Sequence, residues 1–255
     1  MEVVGLWRYP VKSLQGEPID AARVEADGVA GDRRWGIRDQ RSGRILTARR
    51  RPELLGASAT YGGDDDDPVI TLPDGSTVAG PGDRTDRQLS EWLASPVSLV
   101  PSAGEEGRAE FFADATDDTS RAIEWTMPNG RYVDAAPILI LTTASLRTAA
   151  GYYPNGTWDV RRFRPNVLID LEGDGWVEDS WVGRQIQLGA VTLIPTQPCI
   201  RCTMVTRTQP GLDADIELFR TLARHHGGLF GVWSDVVTPG SLSLGDRAAD
   251  LAATR

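Results

Sequence analysis

The chain has 255 residues, enough for one large or two moderate domains, and its 40% hydrophobic content reads as globular. A formal charge of −9 and a pI near 4.8 exclude nonspecific nucleic-acid binding, which needs a broad basic surface, so any anion must enter through a local basic pocket. The N-terminus lacks a charged segment leading into a long apolar one, and no stretch approaches the roughly 18 apolar residues of a membrane span, so no membrane association is expected.

The first hundred residues read as hairpin-dense β structure. Short apolar runs at Val3 to Tyr9, Ile19 to Val24, Trp35 to Asp39, Ala57 to Tyr61 and Val69 to Leu72 are separated by turn pairs. Those pairs are Asp27-Gly28, Gly31-Asp32, Ser42-Gly43 and Asp74-Gly75. Gly62 to Asp67 reads as an acidic solvated turn, because like charges extend a loop. Leu89, Trp92 and Leu93 fall on one helical face, predicting a helix over Asp86 to Ala94. Pro101 to Glu110, polar and glycine-containing, reads as the connection between two halves.

Ile138 to Leu141 then predicts a buried strand, followed by a helix capped by Thr142 or Thr143. Val167 to Leu171 and Val191 to Ile194 are further strands. The clearest helix runs from Asp213 to His226, with acidic residues in its first turn, His225 and His226 in its last, and Gly227 as C-cap.

Two rarities carry the chemistry. Lys12 is the single lysine among 27 basic residues, and it stands in Tyr9-Pro10-Val11-Lys12-Ser13. In an arginine-rich chain, one compact ammonium with three rotatable donors suits the gripping of a phosphate or another oxyanion. A pyridoxal-phosphate Schiff base is an alternative use of a sole lysine. The only two cysteines form Cys199-Ile200-Arg201-Cys202 after an apolar run. A CxxC without secretory context suggests free thiols in a reducing cytoplasm.

A redox pair would place the first cysteine at a helix N-terminus, whereas Thr203-Met204-Val205-Thr206 reads as extended. Structural zinc needs four ligands, and the only added candidates, His225 and His226, are adjacent on one helix. A third reading sets one soft thiolate on a transition metal otherwise held by its own organic cofactor, with Arg201 keeping the sulfur ionised. A buried structural thiol pair is the fourth. Basic residues also recur beside turns and strands, in Asp32-Arg33-Arg34-Trp35, Thr47-Ala48-Arg49 and Arg162-Phe163-Arg164-Pro165-Asn166. Together with Lys12 and Ser13 they supply the donors a phosphate requires.

These motifs, with Ala136-Pro137-Ile138-Leu139-Ile140-Leu141 and Glu178-Asp179-Ser180-Trp181, stand in the order seen in MOSC-domain proteins. The chain resembles their two-part kind, like the mitochondrial amidoxime-reducing component and its bacterial relatives. The resemblance implies a mainly β fold with several helices (α+β), built as a MOSC-type β-barrel core in two packed halves. Residues 1–110 would form the N-terminal region and residues 111–255 the MOSC domain, with the cofactor between them.

The resemblance further implies a molybdenum cofactor, a pyranopterin with a phosphate. Cys202 matches the metal-binding and catalytic cysteine, Lys12 and Ser13 the cofactor-gripping pair, Arg33 the arginine after the turn, and Arg164 and Asn166 the Arg-Pro-Asn residues. Arg49 and Arg201 are taken as further cofactor-binding residues. The implied activity is removal of oxygen, as water, from small N-hydroxylated or N-oxygenated substrates. A non-catalytic cofactor or sulfur carrier is the alternative. Glu178 and Asp179 read either as proton relays or as an exposed acidic turn.

One departure is Arg207-Thr208-Gln209-Pro210-Gly211, which stands where relatives usually carry an Asp-Pro pair after the cysteine. No glycine-rich nicotinamide or flavin fingerprint follows a strand, and two cysteines are too few for an iron–sulfur cluster. The ferredoxin-like tail of some bacterial relatives is also missing before Arg255. Electrons are therefore expected from a separate redox protein and its reductase.

Overall fold

The computed structural model describes residues 1–62, 67–104, 107–114, 117–127 and 130–251. The first part runs β1 (Glu2–Arg8), β2 (Glu17–Pro18), β3 (Ala21–Glu25), β4 (Gly28–Val29), β5 (Trp35–Asp39), β6 (Ser58–Thr60), β7 (Val69–Thr71), β8 (Thr77–Ala79), α1 (Asp83–Leu93) and β9 (Val97–Pro101). A hairpin of β10 (Arg108–Phe112) and β11 (Ala122–Thr126) follows, then β12 (Ile138–Thr142), α2 (Thr143–Tyr152) and β13 (Val167–Asp170). The last part holds β14 (Ile186–Leu188), β15 (Val191–Ile200), α3 (Ile216–His226), β16 (Leu229–Thr238), β17 (Gly240–Ser243) and β18 (Ala248–Asp250). The fold is thus mainly β with several helices, as expected.

Eight strands form one curled sheet in the order β18-β14-β15-β16-β12-β13-β1-β2. β12 and β13 pair in parallel, with α2 in their connection, and β1 closes antiparallel on β13 with Leu6 opposite Val167. The first strand of the chain therefore completes a sheet built from its second half. Its inward residues Val3 and Leu6 share a core with Ile140, Val167, Ile186 and Val232. A second core gathers Val11, Leu14, Ile37, Leu54, Leu89 and Leu99, all from the first hundred residues. Residues 9–14 run from one core to the other, which puts Lys12 and Ser13 at the junction of the two halves.

Local chemistry sets the element ends. α1 begins three residues earlier than the apolar spacing alone predicts, buries Leu89 and Leu93 at i and i+4, and stops at Ala94 in the left-handed region (φ 48°). Thr142, not Thr143, caps α2 by accepting the Ser145 amide at 3.1 Å. α3 starts at Ile216 rather than Asp213, because the Asp215 carboxylate accepts the Glu217 amide at 3.0 Å, and it ends at Gly227 (φ 60°).

Three expectations are corrected. Thr203–Thr206 is a 3₁₀ turn rather than an extended segment. The segment expected to be a plain connection, 101–110, contains the start of the β10–β11 hairpin, which its polar residues concealed. Glu178 does not sit in an exposed turn but is buried at 1% exposure. Most of the acidic run expected at 62–67 lies outside the described residues. Among the described residues no helix is long and apolar enough to cross a membrane.

Candidate functional site

Backbone pairing assembles the site from four separated motifs. The Arg33 amide donates to Tyr9 O at 2.7 Å, the Trp35 amide to Pro10 O at 3.1 Å and the Lys12 amide to Trp35 O at 2.8 Å. This joins the Lys12 segment to the Gly31-Asp32 turn. Ser13 Oγ accepts the Ala48 amide at 2.9 Å and so draws in Thr47-Ala48-Arg49. From the second half, Asn166 is fully buried; its Oδ1 accepts the Leu139 amide at 3.1 Å and Arg33 at 3.4 Å, while its Nδ2 donates to Trp7 O at 3.3 Å. Arg33 also donates to Asp32 at 2.5 Å.

Cys202 arrives by a strand that bends. β15 shifts register against β16 between Pro195 and Gln197 and again between Pro198 and Ile200, where proline cannot donate to the ladder. Alternation at the strand end turns Cys199 inward and leaves Ile200 59% exposed. Arg201 then spends its guanidinium on the backbone, donating to Phe230 O from Nε at 2.9 Å and Nη2 at 2.6 Å and to Phe163 O from Nη1 at 2.9 Å. Those bonds lock the turn that presents Cys202, which is half-buried.

One cavity is lined by Lys12, Ser13, Arg33, Asp134, Arg164 and Cys202, with Cys199 and Arg201 in its wall. An adjoining, more apolar cavity shares Lys12, Ser13, Asp134 and Cys202 and adds Thr47 and Arg49. Asn166 lines neither and acts from behind, through Arg33. Ser13, Arg33 and Arg164 all hold positive φ, at 70°, 50° and 55°, and Ala94 is the only other such non-glycine residue among those described. Left-handed backbone at bulky residues is costly and persists where the surroundings over-determine it. Three such positions converging on one cavity mark it as a built site.

The charges are arranged for an anion. Lys12 is 5% exposed; its Nζ donates to Tyr132 O at 3.1 Å and to the Asp134 carboxylate, leaving one N–H for a ligand. Burial pulls its pKa below the ordinary lysine value, with Asp134 opposing. Partial desolvation in the cavity wall pushes the half-exposed Asp134 carboxyl up, but Lys12, with Arg33 and Arg164, outweighs it and holds the group below the usual range. Arg164 bonds only Leu14 O, at 2.6 Å, among the described residues, and has no carboxylate partner. Burial lowers it to about 10. Its guanidinium lies 4.3 Å from the Tyr9 ring centre, and that of Arg33 lies 5.0 Å away.

Burial raises both thiols above the ordinary cysteine value. Burial pushes Cys199 up to about 11, and its S–H faces Ile200 O at 3.7 Å. Burial also raises Cys202, opposed by the Met204 amide and by Arg49 and Arg201. Among the described residues no group of three or more His, Cys, Asp or Glu converges as a metal cage.

The MOSC N-terminal beta barrel domain family matches residues 1–118, and the MOSC domain family matches residues 128–249. The chain belongs to the MOSC-domain family. It is 26% identical to mitochondrial amidoxime reducing component 2 of Macaca fascicularis, over 96% of this chain and 82% of that protein. It is 27% identical to mitochondrial amidoxime-reducing component 1 of Homo sapiens, over 96% and 81%. It is also 24% identical to molybdenum cofactor sulfurase of Oryza sativa subsp. japonica, over 79% of this chain and 28% of that protein. These relatives support an association of this MOSC chain with the molybdenum cofactor.

The structure brings Lys12, Ser13, Arg33, Arg164, Arg201 and Cys202 to one cavity and Arg49 to its neighbour. Sequence reasoning missed Asp134, although it stands two residues before the quoted Ala136-Pro137 motif and its acidic type beside a lone lysine was the available signal. Glu178 and Asp179 line neither cavity. Glu178 Oε2 accepts from Thr142 Oγ1 at 2.7 Å and Ser145 Oγ at 2.6 Å, and Asp179 faces His226 at 2.6 Å.

Proposed function

We propose that this MOSC chain is a molybdenum-cofactor-dependent reductase of N-hydroxylated compounds. The observation that carries the reading is a buried Arg164 with no ion-pair partner among the described residues, beside Lys12 and Arg33, in a cavity that also presents a half-buried cysteine sulfur. That donor set fits a phosphate-bearing organic ligand whose metal takes one thiolate from the protein. The orphaned Thr47 Oγ1, buried at the adjoining cavity with no partner among the described residues, adds one more unfilled polar group.

When bound, the cofactor supplies the two electrons that cleave an N–O bond, and with two protons the oxygen leaves as water. Lys12, Arg33 and Arg164, which line one cavity, would hold the anionic end. Asn166 keeps Arg33 in place, and Arg201 orients the turn before Cys202 through Phe230 O and Phe163 O. Cys202 would hold the metal as a thiolate, and since burial raises its thiol, a bound metal would be retained less well as pH falls. Asp134, 55% exposed at the wall common to both cavities, offers a carboxylate oxygen to the N–H groups of a substrate. Electrons come from a separate redox protein with its reductase.

The test is metal analysis of protein made in a host able to build the cofactor, followed by reduction of an amidoxime with a viologen donor. A second reading, a cofactor or sulfur carrier without turnover, is favoured by the similarity to molybdenum cofactor sulfurase. Bound molybdenum without reduction of any N-hydroxy compound selects it. The pyridoxal-phosphate use of Lys12 gains no support from the geometry, since its amine is occupied by Asp134 and Tyr132 O.

A further inference from the structure

The β10–β11 hairpin is a two-stranded sheet of its own, with Ala109 opposite Trp125 and Phe111 opposite Ile123. Every position of β11 is exposed or half-buried, and Trp125 is 44% exposed. An isolated hairpin is marginal in water. Ala109 and Phe111 anchor this one on Ile45, Met127 and Tyr132, and polar clamps add to that packing. Arg44 reaches Glu110 at 2.7 Å and Glu124 at 3.0 Å. Arg49 donates to Asp118 at 2.9 Å, and the same carboxylate accepts from Thr203 Oγ1 at 2.6 Å and from Arg207. Asp118, between the two strands, is thereby tied to the turn after Cys202.

Register puts Phe111 and Trp125 on one face of the hairpin as diagonal neighbours. Across a cavity of about 250 Å³ they meet Ile200, Met204 and Trp233. Ile200 and Trp125, two of the exposed large apolar residues, come from distant parts of the chain and line the same space. Its inner wall is Cys202, Lys12 and Asp134, so it opens onto the proposed cofactor position. An apolar cavity of about 150 Å³ already accommodates benzene, so the volume here admits an aromatic ring with a polar substituent.

We infer that this cavity is a substrate chamber selective for planar aryl N-hydroxy compounds, with Phe111 and Trp125 as its specificity-determining residues. The aryl ring packs against the hairpin, while the N–O end lies toward Cys202 and Asp134. The word substrate rests on the reductase reading; the ring-binding does not. Asp134 contributes an acceptor, because Lys12 is its only hydrogen-bond partner among the described residues and engages Oδ1.

The experiment is calorimetric titration of the cofactor-loaded protein with benzamidoxime and, separately, acetamidoxime. Wild type is expected to bind the aryl probe more tightly. Trp125→Ala and Phe111→Ala should each weaken benzamidoxime by about tenfold, the upper end of what one aromatic contact contributes, and leave acetamidoxime unchanged. Trp125→Phe should recover most of the loss. Because Trp125 is 44% exposed, its truncation leaves the fold intact, which a melting curve checks. Equal affinity for the two probes in wild type, or an undiminished preference in both alanine variants, overturns the inference. Ring selectivity that follows these residues without any viologen-driven turnover upholds the chamber and refutes the reductase; turnover without ring preference does the reverse.

Discussion

Lys12→Ala is the sharpest probe of the site, because it removes the chain's one ammonium from a place where 26 arginines were otherwise used. Breaking a buried ion pair from one side costs about 3–5 kcal/mol. Here Asp134 is 55% exposed, so water takes over the abandoned carboxylate and the loss falls toward the ~1 kcal/mol of a surface pair. The hydrogen bond to Tyr132 O adds about 1 kcal/mol, and removal of a desolvated ammonium offsets part of the total. A net loss of about 1–2 kcal/mol lowers the melting temperature by only a few degrees in a chain of this size. Cofactor retention suffers more, since a hydrogen bond to a charged group is worth about 1.5–3 kcal/mol, or roughly tenfold to a hundredfold in affinity. Metal content per chain and a melting curve, measured on the same preparation, separate the two effects. Lys12→Arg should restore occupancy only in part, because a planar fork does not replace a point charge between Asp134 and Tyr132 O. Full molybdenum content in a folded Lys12→Ala protein would refute the reasoning.

Other outcomes separate the remaining roles. Cys202→Ser should lose the bound metal and nearly all activity, while Cys199→Ser, whose thiol is buried and raised to about 11, should keep most of the molybdenum; equal loss in both would mean a two-cysteine site. Glu178 is held above the usual carboxylate range by burial, so the stability it contributes is fully present below the ordinary glutamate value and is lost as pH rises through its raised value. Glu178→Gln should therefore gain on wild type as pH climbs through that window, and a melting-temperature difference that stays constant with pH would count against it. With NADH or NADPH alone the purified protein should not reduce an amidoxime, whereas a small redox protein with its reductase, or a reduced viologen, should start turnover. Rapid reduction by the nicotinamide alone would sink this division of labour.

Much of the architecture was legible because it is written in local patterns. The apolar runs Val3 to Tyr9 and Ile138–Leu141 specify strands, the spacing of Leu89 and Leu93 specifies a helical face, and Gly227 ends α3 in the left-handed region as its residue type allows. The rare residues, one lysine and two cysteines, pointed to the cavity because scarcity against an arginine-rich background is visible without coordinates.

Relations that need two distant segments were not legible. That β1 completes the sheet of the second half depends on its pairing with β13, and no residue in Glu2–Arg8 names that partner. The start of the hairpin, Arg108 to Glu110, read as part of a connection, because Ala109 finds its apolar partners in the distant Ile45 and Tyr132 and Glu110 its charge partner in Arg44, and such pairings leave no local periodic signal. Glu178 read as solvated, since an acidic residue next to another gives no hint that Thr142 and Ser145 hydroxyls await it. The sequence by itself determined which residue types are available for an anion and a soft metal. Only the tertiary structure decided that Arg164 would face the cavity without an ion-pair partner among the described residues while Arg201 was consumed by backbone carbonyls, because hydrogen-bond partners are assigned by proximity in space and not by residue type.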